Sequence, residues 1–136
     1  MPINFSNGGS TNFTKPPRSI YTPDTVSGCP PGRASGTRIA ETTFTTAGDA
    51  AIVVEGITIR TNSQRGRCDL LLYVNGSRVD QTLDYNDGNG SDWQDAVVGY
   101  MGTVGAGTHT VWYESTVCQG WGCGSDWGHL QVLIFE

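Results

Sequence analysis

Ala51-Ile-Val-Val-Glu-Gly-Ile-Thr-Ile-Arg60 is the stretch around which the rest of the chain is read. Its first half is apolar at consecutive positions, as a strand buried on both faces allows. Its second half alternates, with Ile57 and Ile59 on one side and Thr58 and Arg60 on the other. Glu55-Gly56 between the halves reads as a bulge or bend, because a mid-strand glycine commonly marks one. The run predicts a central β-strand.

Working outward, the clearest local signal is Asp69-Leu-Leu-Leu-Tyr-Val74, Asn75-Gly76, Ser77-Arg-Val-Asp-Gln-Thr-Leu83. Two apolar runs closed by Asn-Gly predict a hairpin on a two-residue type I′ turn. That turn sets a register of Val74 against Ser77, Tyr73 against Arg78, Leu72 against Val79 and Cys68 against Leu83. Cys68, Leu70, Leu72, Val79 and Leu83 then share a core face, and Tyr73 and Arg78 the opposite one.

Arg38 to Thr46, rich in Thr, predicts a strand before the central one, with Ala47-Gly-Asp49 as the turn between them. After the hairpin, Asp84 to Asp95 reads as a long loop and Ala96-Val-Val-Gly-Tyr-Met101 as a strand. Thr108 to Val117 alternates His109, Val111, Tyr113 and Val117 against Thr108, Thr110, Trp112, Glu114 and Thr116. His129 to Glu136 is apolar on both sides, with Leu130, Val132 and Ile134 facing Gln131, Leu133 and Phe135, and is expected to be buried on both. No helical period interrupts this series. The fold class expected is all-β, an antiparallel β-sandwich of jelly-roll type with an extended N-terminal arm.

The arm is residues 1–36, which hold all six prolines and little apolar density. Residues 37–136 are the sandwich. Scattered apolar side chains in the arm (Ile3, Phe5, Phe13, Ile20 and Tyr21) are the expected anchors of a docking segment that fills pockets on a partner. The whole is one domain's length, 136 residues, with 37% hydrophobic residues and 19 glycines, a balance that suits many tight turns. Net charge is −5, and the eight Lys and Arg form no cluster beyond Arg65 and Arg67, so no nucleic-acid partner is expected. No run approaches a membrane span, and the start, Met1-Pro-Ile-Asn-Phe-Ser-Asn7, lacks a basic, then apolar leader; synthesis in a cytoplasm is expected.

The sequence carries no catalytic signature: no Gly-x-Ser-x-Gly elbow, no His-Glu-x-x-His and no phosphate loop. His109 and His129 read as packed or surface imidazoles. Cys29, Cys68, Cys118 and Cys123 lack the paired spacing of a zinc site. Cys118 and Cys123 share one loop, where a disulfide is possible. Free thiols are the other reading, and four cysteines leave three full pairings open. Asp84 to Asp95 has acidic ends like a calcium loop, but Asn89 stands where glycine is needed and Asp95 where glutamate is. No metal or cofactor is expected, and no enzyme. Gly90-Ser-Asp-Trp93 and Gly124-Ser-Asp-Trp127 are the same tetrapeptide, each before a strand. Asp92, Trp93, Trp121, Asp126 and Trp127 are therefore candidate recognition-loop residues for a sugar ring or a partner, or else plugs and braces of the turns.

The hairpin, then Gly105-Ala-Gly-Thr-His-Thr-Val-Trp-Tyr113, then a last apolar strand, resembles small jelly-roll modules of tailed-phage virions. These modules occur as capsid cement (decoration) proteins and as heads of tail fibres, often trimeric. The resemblance covers roughly residues 37–136. It implies a non-enzymatic virion structural protein that stabilises a phage head by binding the major capsid protein or another virion protein. The alternative it implies is a receptor-binding, lectin-like module. Apolar and aromatic residues on second faces (Tyr73, Trp112, Leu133, Phe135) add the expectation of a homotrimer.

Overall fold

The computed structural model describes residues 2–4, 10–23, 37–61, 66–86, 93–115 and 127–136. A small hairpin pairs β1 (Pro2–Asn4) with β2 (Ser10–Asn12). The remaining strands are β3 (Arg18–Pro23), β4 (Thr37–Thr46), β5 (Ala50–Thr61), β6 (Gly66–Val74), β7 (Ser77–Asn86), β8 (Trp93–Val104), β9 (Gly107–Ser115) and β10 (Trp127–Phe135). They form two four-stranded antiparallel sheets, ordered β3-β10-β5-β8 and β4-β9-β6-β7. From β3 onward each strand crosses to the other sheet, save for the hairpin β6–β7. This is the winding of a jelly roll, the fold class expected.

The core lies between the sheets. Ile52, Val54, Val98, Leu130, Val132 and Ile134 enter from one, and Ile39, Leu70, Leu72, Val111 and Tyr113 from the other; each is at most 2% exposed. The alternation in β9 falls as the sequence predicts from Thr108 to Glu114, with Thr116 and Val117 outside the described residues, and so does the inward set of β10. The outward set of β10 does not: Gln131, Leu133 and Phe135 are only half-buried.

β5 is central, paired along its length with β10 and β8. Its register runs unbroken through Glu55 and Gly56 on both sides, so the expected bulge is absent. The glycine has another cause. A Cβ built on Gly56 would lie 3.0 Å from Tyr113 Cδ1 and 3.0 Å from Val98 Cγ2. The ring of Tyr113, from the facing sheet, fills the space a side chain would take. Its hydroxyl, buried with it, donates to the carbonyl oxygen of Ile57 at 3.0 Å.

The Asn75-Gly76 turn forms as read, with φ of 50° and 84° at its two residues. The register it predicts holds for Val74 with Ser77 and Tyr73 with Arg78, then shifts: Leu72 opposes Asp80, Asp69 opposes Leu83 and Cys68 opposes Asp84. Val79 is the extra residue of a bulge. Its side chain still packs against the core margin, and the shift delivers Asp80 to the gap between the sheets. There its Oδ2 accepts the backbone N–H of Gly99, on the neighbouring edge strand β8, at 2.8 Å. The 84–95 loop is shorter than expected, because β7 runs to Asn86 and β8 begins at Trp93.

The boundary expected at residue 36 does not coincide with the sheet. Arg18–Pro23, read as part of the arm, is an outer strand of the sandwich, paired with β10 from Arg18 against Ile134 to Pro23 against His129. An edge strand needs only one apolar side chain toward the core, and Ile20 supplies it.

Candidate functional site

Sheet β4-β9-β6-β7 turns an aromatic and ionic row outward. Tyr73 on β6 is the register partner of Trp112 on β9, and the rings stack 5.1 Å apart at 5°. From β4, on the other side of β9, Arg38 lays its guanidinium 3.9 Å from the centre of the Trp112 ring. Glu41 holds that guanidinium through an ion pair, and Trp112 Nε1 donates to Glu114 Oε2 at 3.4 Å. The Tyr73 hydroxyl is pushed above its ordinary range by burial among these neighbours, and further by the charge and hydrogen bond of Glu114, while Arg78 pulls the other way. Tyr73 and Arg38 approach from opposite strands, so both broad faces of the indole are covered within the chain. Sugar rings stack on an open aromatic face, and Trp112 offers none.

The other outer face, on β3-β10-β5-β8, is apolar. Met101 is 72% exposed and Val97 45%. Val53, the register partner of both Met101 and Leu133, and Ile57, the partner of Val97 and His129, extend the patch across β5 and β10 as half-buried side chains. Phe13 packs on Phe135 at one end, with ring centres 6.0 Å apart. A polar strip crosses it. His129 Nε2 lies 3.7 Å from Glu55 Oε1, and the exposed ring of Tyr21 leans on the imidazole at 5.0 Å.

A polar cluster, in which His109 and Thr46 are buried, closes one end of the sandwich. His109 Nε2 donates to Gly105 O at 2.9 Å and sits 3.2 Å from Thr46 Oγ1. Its Nδ1 accepts from Asn75 Nδ2 at 3.0 Å, and Asn75 Oδ1 accepts Thr110 N–H at 3.0 Å. With Asn75 N–H donating to Thr110 O at 2.8 Å, the hairpin turn is bolted to β9. His109 is thus a packed histidine. Among the described residues no three His, Cys, Asp or Glu gather to hold a metal ion, and no helix is long and apolar enough to cross a membrane.

The anchors assigned to the arm divide. Phe13, Ile20 and Tyr21 contact Phe135, the core margin and His129 of their own domain. Ile3 lies in β1 opposite Thr11, and Phe5 lies outside the described residues. Of the recognition-loop residues, Trp93 opens β8 opposite Thr61, and Trp127 opens β10 opposite Ile59. Both strands run antiparallel to β5, so both begin at the same end of one sheet. Asp92, Trp121, Asp126, Cys118 and Cys123 lie outside the described residues. Met101 and Val97 were absent from the sequence candidates. Their signal was the alternation of Ala96 and Val98 with Val97 and Met101, in which two apolar side chains fall on the outer side.

No family model and no curated protein matches the chain. Solved structures resemble it in fold. A family 35 carbohydrate-binding module from an environmental isolate aligns with a TM-score of 0.44 at 14% identity, over 76% of this chain and 67% of that one. The EclA C-terminal domain, a sugar-binding protein, gives 0.45 at 16%, over 96% and 88%. The structure of infectious bursal disease virus, Gt strain, gives 0.49 at 13%, over 99% of this chain and 37% of that one. At such identities the likeness is one of architecture, and the jelly roll rests on the strand order itself.

Proposed function

We propose that this chain is a non-enzymatic assembly module, a virion structural protein of the capsid-cement class, and that the outer face of β3-β10-β5-β8 is what it lays on a capsid shell. The observation that carries the reading is the exposure of Met101 and Val97 amid Val53, Ile57 and Leu133. An open apolar sheet face is a cost to a free monomer and a gain once a protein surface covers it. The resemblance of residues 37–136 to phage decoration proteins supports the same reading. The major capsid protein is the proposed partner, a homotrimer the proposed state on the lattice, and the virion the proposed location. The test is co-sedimentation with assembled capsid shells. Val97→Lys with Met101→Lys should keep the circular dichroism and the melting temperature and lose attachment. Full attachment by that variant would refute the reading.

A second reading has an observation of its own. Trp93 and Trp127 begin parallel strands at the same end of one sheet, two residues apart along β5. A lectin-like module would use that end. A glycan array probed with the full chain and with the Trp93→Ala and Trp127→Ala variants tests it: binding lost in both variants supports it, and no binding by the parent chain removes it.

A further inference from the structure

β3 is an edge strand of the sandwich, held with little burial. None of its six residues is buried, and Ile20 alone reaches the core margin. The segment before it is fastened at one place. Thr14 and Lys15 donate their backbone N–H groups to Glu136 O at 2.9 and 3.0 Å. The Glu136 carboxylate faces Lys15 Nζ at 3.6 Å and Arg18 Nη2 at 3.3 Å. Arg18 also donates to Thr45 O at 2.7 Å. Phe13 rests on Phe135 and Tyr21 on His129. The hydrogen-bond, ionic and ring partners of Phe13–Pro23 are thus β10, Glu136 just beyond it, and one carbonyl at the end of β4, with Ile20 at the core margin. An element with this little burial opens locally at low cost.

The connection from β3 to β4 is the second observation. The Arg18–Thr45 contact sets the start of β3 beside the end of β4. Pro23 and Thr37 therefore lie toward the same end of the sandwich, on sheets packed about 10 Å apart and offset along the strands by about three residues, roughly 10 Å. Connections of about 4–6 residues are common in compact domains. Here the connection is residues 24–36, thirteen in all. Fully extended, thirteen residues reach roughly 43 Å, which is the scale of a neighbouring domain and not of the next strand.

We infer that residues 13–23 are an exchangeable strand, which leaves β10 of its own chain and pairs with β10 of a second copy. Every contact named above is made with the same atoms in the exchanged form, so the exchange costs no pairing. Within a closed ring of copies no edge of β10 is left bare. The inference is independent of what the apolar face docks on, and its test contains no capsid.

The test uses the full chain with one cysteine added per copy. Tyr21 and Gln131 are register partners across β3 and β10. Tyr21→Cys and Gln131→Cys chains are co-expressed, concentrated and treated with a short bis-maleimide, beside the parent chain as the baseline for its native cysteines. Exchange predicts a covalent dimer in the mixture, linked between positions 21 and 131 on peptide mapping. The double variant, Tyr21→Cys with Gln131→Cys in one chain, should give linked dimers and higher rings. A link confined to single chains in the double variant, with none in the mixture, overturns the inference. A link in neither refutes the pairing of β3 with β10 and the inference with it.

Discussion

Gly56→Ala is the substitution that most directly tests how the two sheets are keyed together. Gly56 is not among the positive-φ residues, which in the described chain are Asn75, Gly76 and Gly107, so alanine suits its backbone. The cost is steric alone. The new Cβ would stand 3.0 Å from Tyr113 Cδ1, 3.1 Å from Tyr113 Cγ and 3.0 Å from Val98 Cγ2, where van der Waals contact begins near 3.5 Å. The two ring atoms are at the root of the tyrosine side chain and the far end is tied to Ile57 O, so the ring has little room to yield. Overpacking of this kind costs about 1–3 kcal/mol, and the stiffer unfolded chain returns about 0.4–1. A net loss of about 1.5 kcal/mol follows, or roughly 5 °C in Tm for a chain of this size. Urea melts with an unchanged m-value, read by tyrosine and tryptophan fluorescence, measure it. Val98→Ala in the same background removes one of the crowding atoms, so the pair should be less destabilising than the sum of the two single changes. A Gly56→Ala protein as stable as the parent or more so would mean that Tyr113 does not occupy the space over Gly56.

Asn75→Gly keeps the turn's positive φ but deletes the bonds to His109 Nδ1 and Thr110 N–H, and should cost about 1–2 kcal/mol in urea melts; Asn75→Pro, which locks φ negative, should cost more. Asp80→Ala uncovers the Gly99 N–H on an edge strand and should lose about 0.5–1.5 kcal/mol and raise light scattering at high concentration, whereas Asp80→Asn, which still presents an oxygen, should keep most of the stability and, lacking the charge, scatter between the two. Glu136 is held below its ordinary 4.5, first by the Ala47 N–H it accepts at 2.8 Å and then by Lys15 and Arg18. The stability it contributes is therefore complete above about that value and is lost as pH falls through the lower folded value. The Tm advantage of the parent over Glu136→Gln should be constant from pH 7 to about pH 5 and shrink as the pH falls below Glu136's ordinary 4.5.

What the sequence made legible was what neighbours in the chain decide. Asn75-Gly76 announces its own turn, and the alternation of Val111 and Tyr113 with Trp112 and Glu114 announces its own faces. What it hid was decided across the sandwich. Gly56 reads as a bulge or bend until Tyr113, on another sheet, is seen lying over it. Val79 looks paired with Leu72 until Asp80 is needed at Gly99, and nothing local to the hairpin signals that need. Arg18-Ser-Ile-Tyr-Thr-Pro23 is framed by prolines, which argue against a central strand; they permit an edge strand, where a single inward Ile20 suffices. Of the site, the stack of Tyr73 on Trp112 was visible only as two residues on outer faces. Their pairing, and the guanidinium that closes it, needed the strand order β4-β9-β6.

The two flanks of the sandwich are closed by the same device with opposite charges. On one flank a carboxylate from β7, Asp80, crosses to an N–H on β8. On the other a guanidinium from β3, Arg18, crosses to a carbonyl at the end of β4. Each blocks a backbone group that would otherwise invite another chain's strand, and each does so with a charge that resists burial in a foreign sheet. The guards differ in what holds them. Asp80 is fixed by a bulge within a long hairpin, whereas Arg18 rides on the strand whose attachments converge on Glu136. Loss of the Glu136 charge would therefore loosen Arg18 and β3 together and open the β3/β4 flank, while the β7/β8 flank stayed shut. In the proposed assembly, association through strands is thereby directed to one side of the molecule, and the apolar face of β3-β10-β5-β8 is left to the proposed capsid partner.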